Sequence, residues 1–308
     1  MGPAVLCLHG LTGTPYEVRQ PAEALAERGF ACLGPELPGH GTSPEVLAAT
    51  SRSAWLEAVL GAFDRLAATH ARVYAVGLSL GGLLTLALCQ RRPVQGSVVL
   101  AAPLELSRAV RWAVPLLAPA IRSIPKTSDI VDDAARARHP GYRRMPLAAV
   151  RELMRLQREV ERGLDRIESP LRLIYSRADR TVRLEDAERI LRQVSSPDPE
   201  VITLDRSGHV LPVDLERERV TKEVVDFLYS FVRGRTLMAE LPGAAVKRLL
   251  TSHGGGLRSS GSAVELAVAA AEGYIARLAQ EASASAQRDK RKTIMDTDIQ
   301  RAKEALGG

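Results

Sequence analysis

Gly77-Leu78-Ser79-Leu80-Gly81 is the stretch of this chain best suited to chemistry. It ends a β-rich run, VYAVGLS, and opens a helical one, so Ser79 lies on a tight strand-to-helix turn that exposes its hydroxyl. Such a turn has almost no room for side chains two residues before and after the serine, and Gly77 and Gly81 occupy those places. The bland alternative is a glycine-rich helix start with an idle serine. A serine hydroxyl is a weak nucleophile at neutral pH. It needs a base, and the base needs an acid to orient it. Asp179 closes the run LRLIYSRAD, and His209 lies in DRSGHV just after EVITL, giving the chain order Ser, Asp, His. Attack on an acyl carbon also needs two backbone donors where negative charge develops. These are expected to be the N–H of Leu80, directly after the nucleophile, and the N–H of Leu11 in LHGLTG.

The other histidines suit the role of base less well. His70 and His139 lie in charged or helical surroundings and are expected at the surface, and His253 lies near the C-terminus. His40, in LPGHG, has no acid placed to orient it and is expected to hold its loop. Asp205 and Asp214 are near His209 in sequence, but Asp205 ends its strand before the loop, which favours Asp179 as the acid.

The elements that must position these groups follow from periodicity. The runs AVLCLH, ACLGPEL, RVYAVGLS, SVVLAAP, LRLIYSRAD and EVITLDRSGH are near-continuously apolar. Helical stretches separate them, expected at 17–28, 53–69, 82–90 and 213–234. Buried strands alternating with helices predict an α/β fold with a parallel sheet covered on both faces. Residues 106–168 show no strand pattern and read as an insertion. Its Trp112, Leu116, Leu117, Met145 and Leu153 would either line an acyl pocket or simply pack the insertion.

Five stretches together resemble the α/β-hydrolase family: LHGLTGTP, PGHGTSPE, GLSLGG, RADRTV and SGHVLPVD. More narrowly, residues 4–232 are similar to the bacterial carboxylesterase and monoacylglycerol lipase branch. The resemblance implies an ester hydrolase with a Ser79, Asp179, His209 triad and a cap formed by the insertion over the site. It needs neither a cofactor nor a metal. The chain begins at the oxyanion strand, so one or more leading strands of the full fold are expected to be absent.

At 308 residues and 45% apolar composition the chain can bury a sizeable core, and two domains are expected. A net charge of +6 is modest for this length. Cys7, Cys32 and Cys89 have no metal-type spacing and read as buried thiols of a reducing compartment. The N-terminal run lacks a basic leader, and the apolar stretch Ala113–Ile121 is short and broken by two prolines. A cytoplasmic protein with no membrane span is expected.

The boundary between the domains is expected at 234/235. Residues 235–308 lose the strand pattern and show a short helix, a long one from Ser259 or Ser260 and a short last one from Asp296. Ala263, Ala267, Ala270, Ala271, Tyr274, Leu278 and Ala282 share one face of the long helix. ELPGAAVKRLL and RKTIMDTDI make residues 239–306 resemble archaeal histones. The resemblance implies an intertwined homodimer and an ion pair between Arg291 and Asp298. Lys247, Arg248, Arg258, Lys290 and Lys292 are the candidate DNA contacts. The region holds 11 Lys and Arg against 8 Asp and Glu, a small surplus for a phosphate-binding surface. Dimerisation is therefore expected ahead of DNA binding. The competing reading is a DNA-associated protein on which the hydrolase unit is cargo or scaffold, but no member of the triad is missing.

Overall fold

Runs rich in Val, Leu and Ala supply the strands, because flat apolar ribbons can be buried on both faces. The computed structural model describes residues 2–118, 120–232, 241–254, 257, 259–289 and 291–306. It divides into two units, Met1–Arg233 and Gly234–Gly308. The first unit runs β1 (Ala4–Leu8), α1 (Arg19–Ala26), β2 (Ala31–Leu33), α2 (Pro44–Ala49), α3 (Arg52–Ala67), β3 (Val73–Leu78), α4 (Leu80–Cys89) and β4 (Ser97–Leu100). It continues α5 (Arg108–Leu117), β5 (Ser123–Pro125), α6 (Asp133–Arg138), β6 (Arg144–Pro146), α7 (Leu147–Glu161), β7 (Leu171–Ser176), α8 (Leu184–Gln193), β8 (Glu200–Leu204) and α9 (Arg217–Ser230).

Six strands form one parallel sheet in the order β2-β1-β3-β4-β7-β8. Alternate residues feed two cores. Ala4, Leu6 and Leu8 of β1 pack with Trp55, Leu83 and Leu84 on one face. Val5 and Cys7 pack with Leu25, Val224 and Leu228 on the other. The period of two in strand side chains thus divides one run between two helical layers.

Three details depart from expectation. The helix expected from Glu17 begins at Arg19, because Pro15–Val18 forms a 3-10 turn. The insertion carries a small ribbon, β5 antiparallel to β6, where no strand was expected. Two three-residue strands, each ending in proline, are too short for alternation to register. Cys7 and Cys89 are buried as expected, whereas Cys32 is exposed.

The second unit contains α10 (Gly243–His253), α11 (Gly261–Arg288) and α12 (Asp296–Ala305). Ser260 caps α11 by accepting the Ala263 N–H at 3.2 Å. Arg291 makes a two-pronged ion pair with Asp298 at 2.7 and 2.9 Å. Of the long-helix face expected to turn inward, Ala282 is buried while Ala263, Ala270 and Tyr274 are exposed. Leu266 and Ile275 on the same helix are 67% and 50% exposed. A single copy leaves much of that apolar surface uncovered. Among the described residues, no helix is long and apolar enough to cross a membrane.

Candidate active site

Ser79 stands between β3 and α4 with φ of 55° and ψ of −112°. A non-glycine residue enters that region only when its surroundings force it. The forcing is visible in its glycines. A Cβ on Gly77 would lie 2.1 Å from Gly81 O, and one on Gly81 would lie 2.2 Å from Leu8 O. The Ser79 N–H donates to Leu100 O at 2.8 Å, which pins the turn to β4.

The turn aims Ser79 Oγ at His209, whose Nε2 is 2.8 Å away. His209 Nδ1 is 2.9 Å from Asp179 Oδ2. Asp179 follows β7 and is itself held, its Oδ1 accepting the N–H groups of Thr181 at 2.7 Å and Val182 at 2.8 Å. The His209 N–H donates to Asp129 O at 2.8 Å, so a loop of the insertion braces the histidine backbone. Burial opposes a charged imidazole, yet Asp179 beside it, with Asp129 and Glu17 farther off, raises the His209 pKa above its ordinary value.

The rival acids are engaged elsewhere. Asp205 pairs with Arg177 at 3.0 Å on the surface. Buried Asp214 accepts backbone N–H groups from Gly208, Val131 and Asp132 at 2.7 to 2.9 Å, a brace for the histidine loop that sequence spacing did not reveal. His40 is buried and its Nδ1 meets Leu37 O and Pro38 O, a loop-holding position as expected. His139, expected at the surface, is instead buried against Glu17 at 2.8 Å. The partner lies 122 residues away in sequence, so nothing near His139 announces it.

Leu80 opens α4, so its N–H is a first-turn donor with no intrahelical acceptor. Leu11 lines a cavity of about 460 Å³ that opens beside Ser79 and His209. Its apolar lining includes Leu106, Val110, Val114, Leu117, Met145 and Leu153. Its polar lining includes Glu17, Lys126, Thr127, Asp129 and Thr181. Ser128 Oγ, also in the lining, is buried and has no hydrogen-bond partner among the described residues. Trp112 and Leu116, considered as pocket residues, lie outside this cavity and are 78% and 81% exposed. The amphipathic helix α5 turns Val110 and Val114 inward and leaves those two to solvent.

Among the described residues, no group of three or more His, Cys, Asp or Glu is placed to hold a metal ion. Lys247, Arg248 and Lys292 of the second unit are exposed, while Arg258 and Lys290 lie outside the described residues.

Comparison with known proteins agrees with this architecture. Residues 239–302 match the family of histone-like transcription factors (CBF/NF-Y) and archaeal histones. The chain is 31% identical over 226 residues to a carboxylesterase of Bacillus subtilis (strain 168), covering 73% of this chain and 92% of that one. It is 30% identical over 229 residues to a thermostable monoacylglycerol lipase of Bacillus sp. (strain H-257), covering 72% and 89%. A solved structure of the metagenome-derived lipolytic enzymes LipS and LipT superposes with a TM-score of 0.70 at 28% identity, over 74% of this chain and 94% of that one. Residues 2–216 match the α/β-hydrolase family described as serine aminopeptidase, S33, and the chain belongs to that family.

Proposed function

We propose that the first unit hydrolyses carboxylic esters through Ser79, His209 and Asp179. The observation that carries this reading is the linked geometry of the three side chains, opening on a largely apolar cavity. Ser79 Oγ attacks the acyl carbon and passes its proton to His209 Nε2. Asp179 keeps the Nδ1–H tautomer and supports the imidazolium that forms. The amides of Leu11 and Leu80 receive the oxyanion. His209 then protonates the leaving alcohol, and a water molecule repeats the sequence on the acyl-enzyme. The family's description names a peptidase, but the apolar lining and the two curated relatives favour an acyl chain over a peptide.

A series of p-nitrophenyl esters with rising acyl length tests this. Short and medium chains should be turned over, and a fluorophosphonate probe should label Ser79. A label mapped to any other residue, or no turnover across the series, would sink the assignment.

The second unit is proposed as a histone fold that pairs with a second copy of itself. Its short, long, short helices, the family match over residues 239–302 and the exposed Leu266 and Ile275 support this. Light scattering should give the full chain twice its 33.3 kDa mass. Leu266→Asp should yield a monomer that keeps its esterase rate, because a carboxylate there is solvated in one copy and buried in the pair. A full-length chain that is already monomeric would remove the pairing model. The small basic surplus of this unit gives DNA attachment less support than pairing.

A further inference from the structure

Beside the oxyanion loop lies a charged cluster that the proposed triad chemistry does not use. Glu17 sits in the turn that follows the loop, and its carboxylate is buried. One oxygen accepts the Gly10 N–H at 2.7 Å. The other meets His139 Nε2 at 2.8 Å, and His139 directly follows α6 of the insertion. Lys126, also from the insertion, donates to Thr12 Oγ1. The N–H of Tyr142 donates to Thr12 O at 2.8 Å. Two residues of the insertion thus reach the loop that carries Leu11 directly, and His139 reaches it through Glu17.

A carboxylate taken from water is tolerated only when hydrogen bonds and opposite charge replace the lost solvation. Burial works to raise the Glu17 pKa. The hydrogen bond from His139, with the charges of His139, Lys126 and His9, outweighs it and brings the value down to about 2. The group is therefore anionic at neutral pH. The loop is also wrapped around it, since a Cβ on Gly13 would land 2.3 Å from the carboxylate.

Leu11 follows Gly10, and the peptide between them is held at Gly10 O, which accepts the Gly13 N–H at 3.1 Å and lies 2.9 Å from His9 Nδ1. The flanking peptides are held as well, at the Gly10 N–H on one side and at Thr12 O on the other. Glu17 supplies the first hold and Tyr142 the second. We propose that Glu17 is a positioning residue of the oxyanion hole, whose carboxylate holds the Gly10–Leu11 loop donor-forward and, through His139, couples that conformation to the cap. This rests on the esterase reading above.

Three carboxylates raise the pKa of His209: Asp179 after β7, Asp129 in the insertion, and Glu17. Neutralising Glu17 removes one of them, so the acid limb of kcat/KM should move to lower pH.

The experiment uses the full chain and p-nitrophenyl butyrate, with reactive serines titrated by a fluorophosphonate so that kcat is counted per competent site. Glu17→Ala should lose kcat by about 10²-fold with KM nearly unchanged, the size of effect expected when one oxyanion donor is misplaced. Glu17→Gln should lose less than about tenfold, because its amide oxygen still accepts the Gly10 N–H, while its acid limb shifts down. If Glu17→Ala does not fold, His139→Ala keeps the question answerable. It cuts the tether to the cap and should lower kcat at unchanged KM. A kcat per titrated site equal to wild type in Glu17→Ala, or in His139→Ala where that stands in, overturns the proposal, as does a loss that appears in KM and leaves kcat unchanged. Turnover that survives Ser79→Ala would instead overturn the esterase reading, and it is seen before any Glu17 variant is measured.

Discussion

Ser79→Ala should abolish ester turnover, with kcat falling at least about 10³-fold and up to about 10⁶-fold where background hydrolysis is low. The variant removes the proposed attacking atom, Oγ, which lies 2.8 Å from His209 Nε2. The fold should survive. The residue 79 N–H still donates to Leu100 O, and the close approach of Gly77 to Gly81 is untouched. The measurements are p-nitrophenyl ester hydrolysis, fluorophosphonate labelling and a melting curve. Label and turnover should disappear while the melting curve barely moves. Activity retained with the melting curve intact would mean that another nucleophile does the work.

Asp179→Asn should lower kcat by about 10⁴-fold while leaving the fold and the serine in place. The direction follows from which oxygen does what. Oδ1 accepts two backbone N–H groups, from Thr181 and Val182, so the variant must keep its carbonyl oxygen there. Its NH₂ is then turned to the place of Oδ2, facing His209 Nδ1. An NH₂ donor there makes Nδ1 the acceptor and puts the proton on Nε2. The imidazole then offers Ser79 a hydrogen rather than a lone pair. Full activity in this variant would move the acid to another carboxylate, although Asp205 is held by Arg177 and Asp214 by three backbone amides.

The groups that were legible in sequence are those whose chemistry demands a local backbone shape. Gly77, Ser79 and Gly81 declare a turn because no larger residue fits two positions from the serine. Asp179 and His209 each follow a strand, so they were legible as residues at a sheet edge. Glu17, Lys126 and His139 were not legible, because each pairing joins the insertion to the N-terminal loop region across more than a hundred residues. Neither the 3.6-residue nor the two-residue period carries such information. The insertion was hard to read throughout. Its β5–β6 ribbon is too short for alternation, and α5 carries apolar residues both on the cavity face and on the face left to solvent. In the second unit the apolar face of α11 was legible as a face, and Leu266 and Ile275 on that helix are exposed in a single copy.

The order of the strands has a consequence for how the enzyme comes to life. Every neighbouring pair in the sheet is parallel, so each pairing waits for a crossover, and Ser79 meets His209 across 130 residues of chain. Contacts of such long separation form late and slowly, after local helices are already in place. A chain emerging from the ribosome holds the Gly77–Gly81 turn and its proposed nucleophile long before β8 and His209 exist. During that interval it is chemically silent, because a serine without its base is a weak nucleophile. On the proposed triad, reactivity therefore switches on with closure of the last strand, and until then Ser79 lacks the base that would activate it.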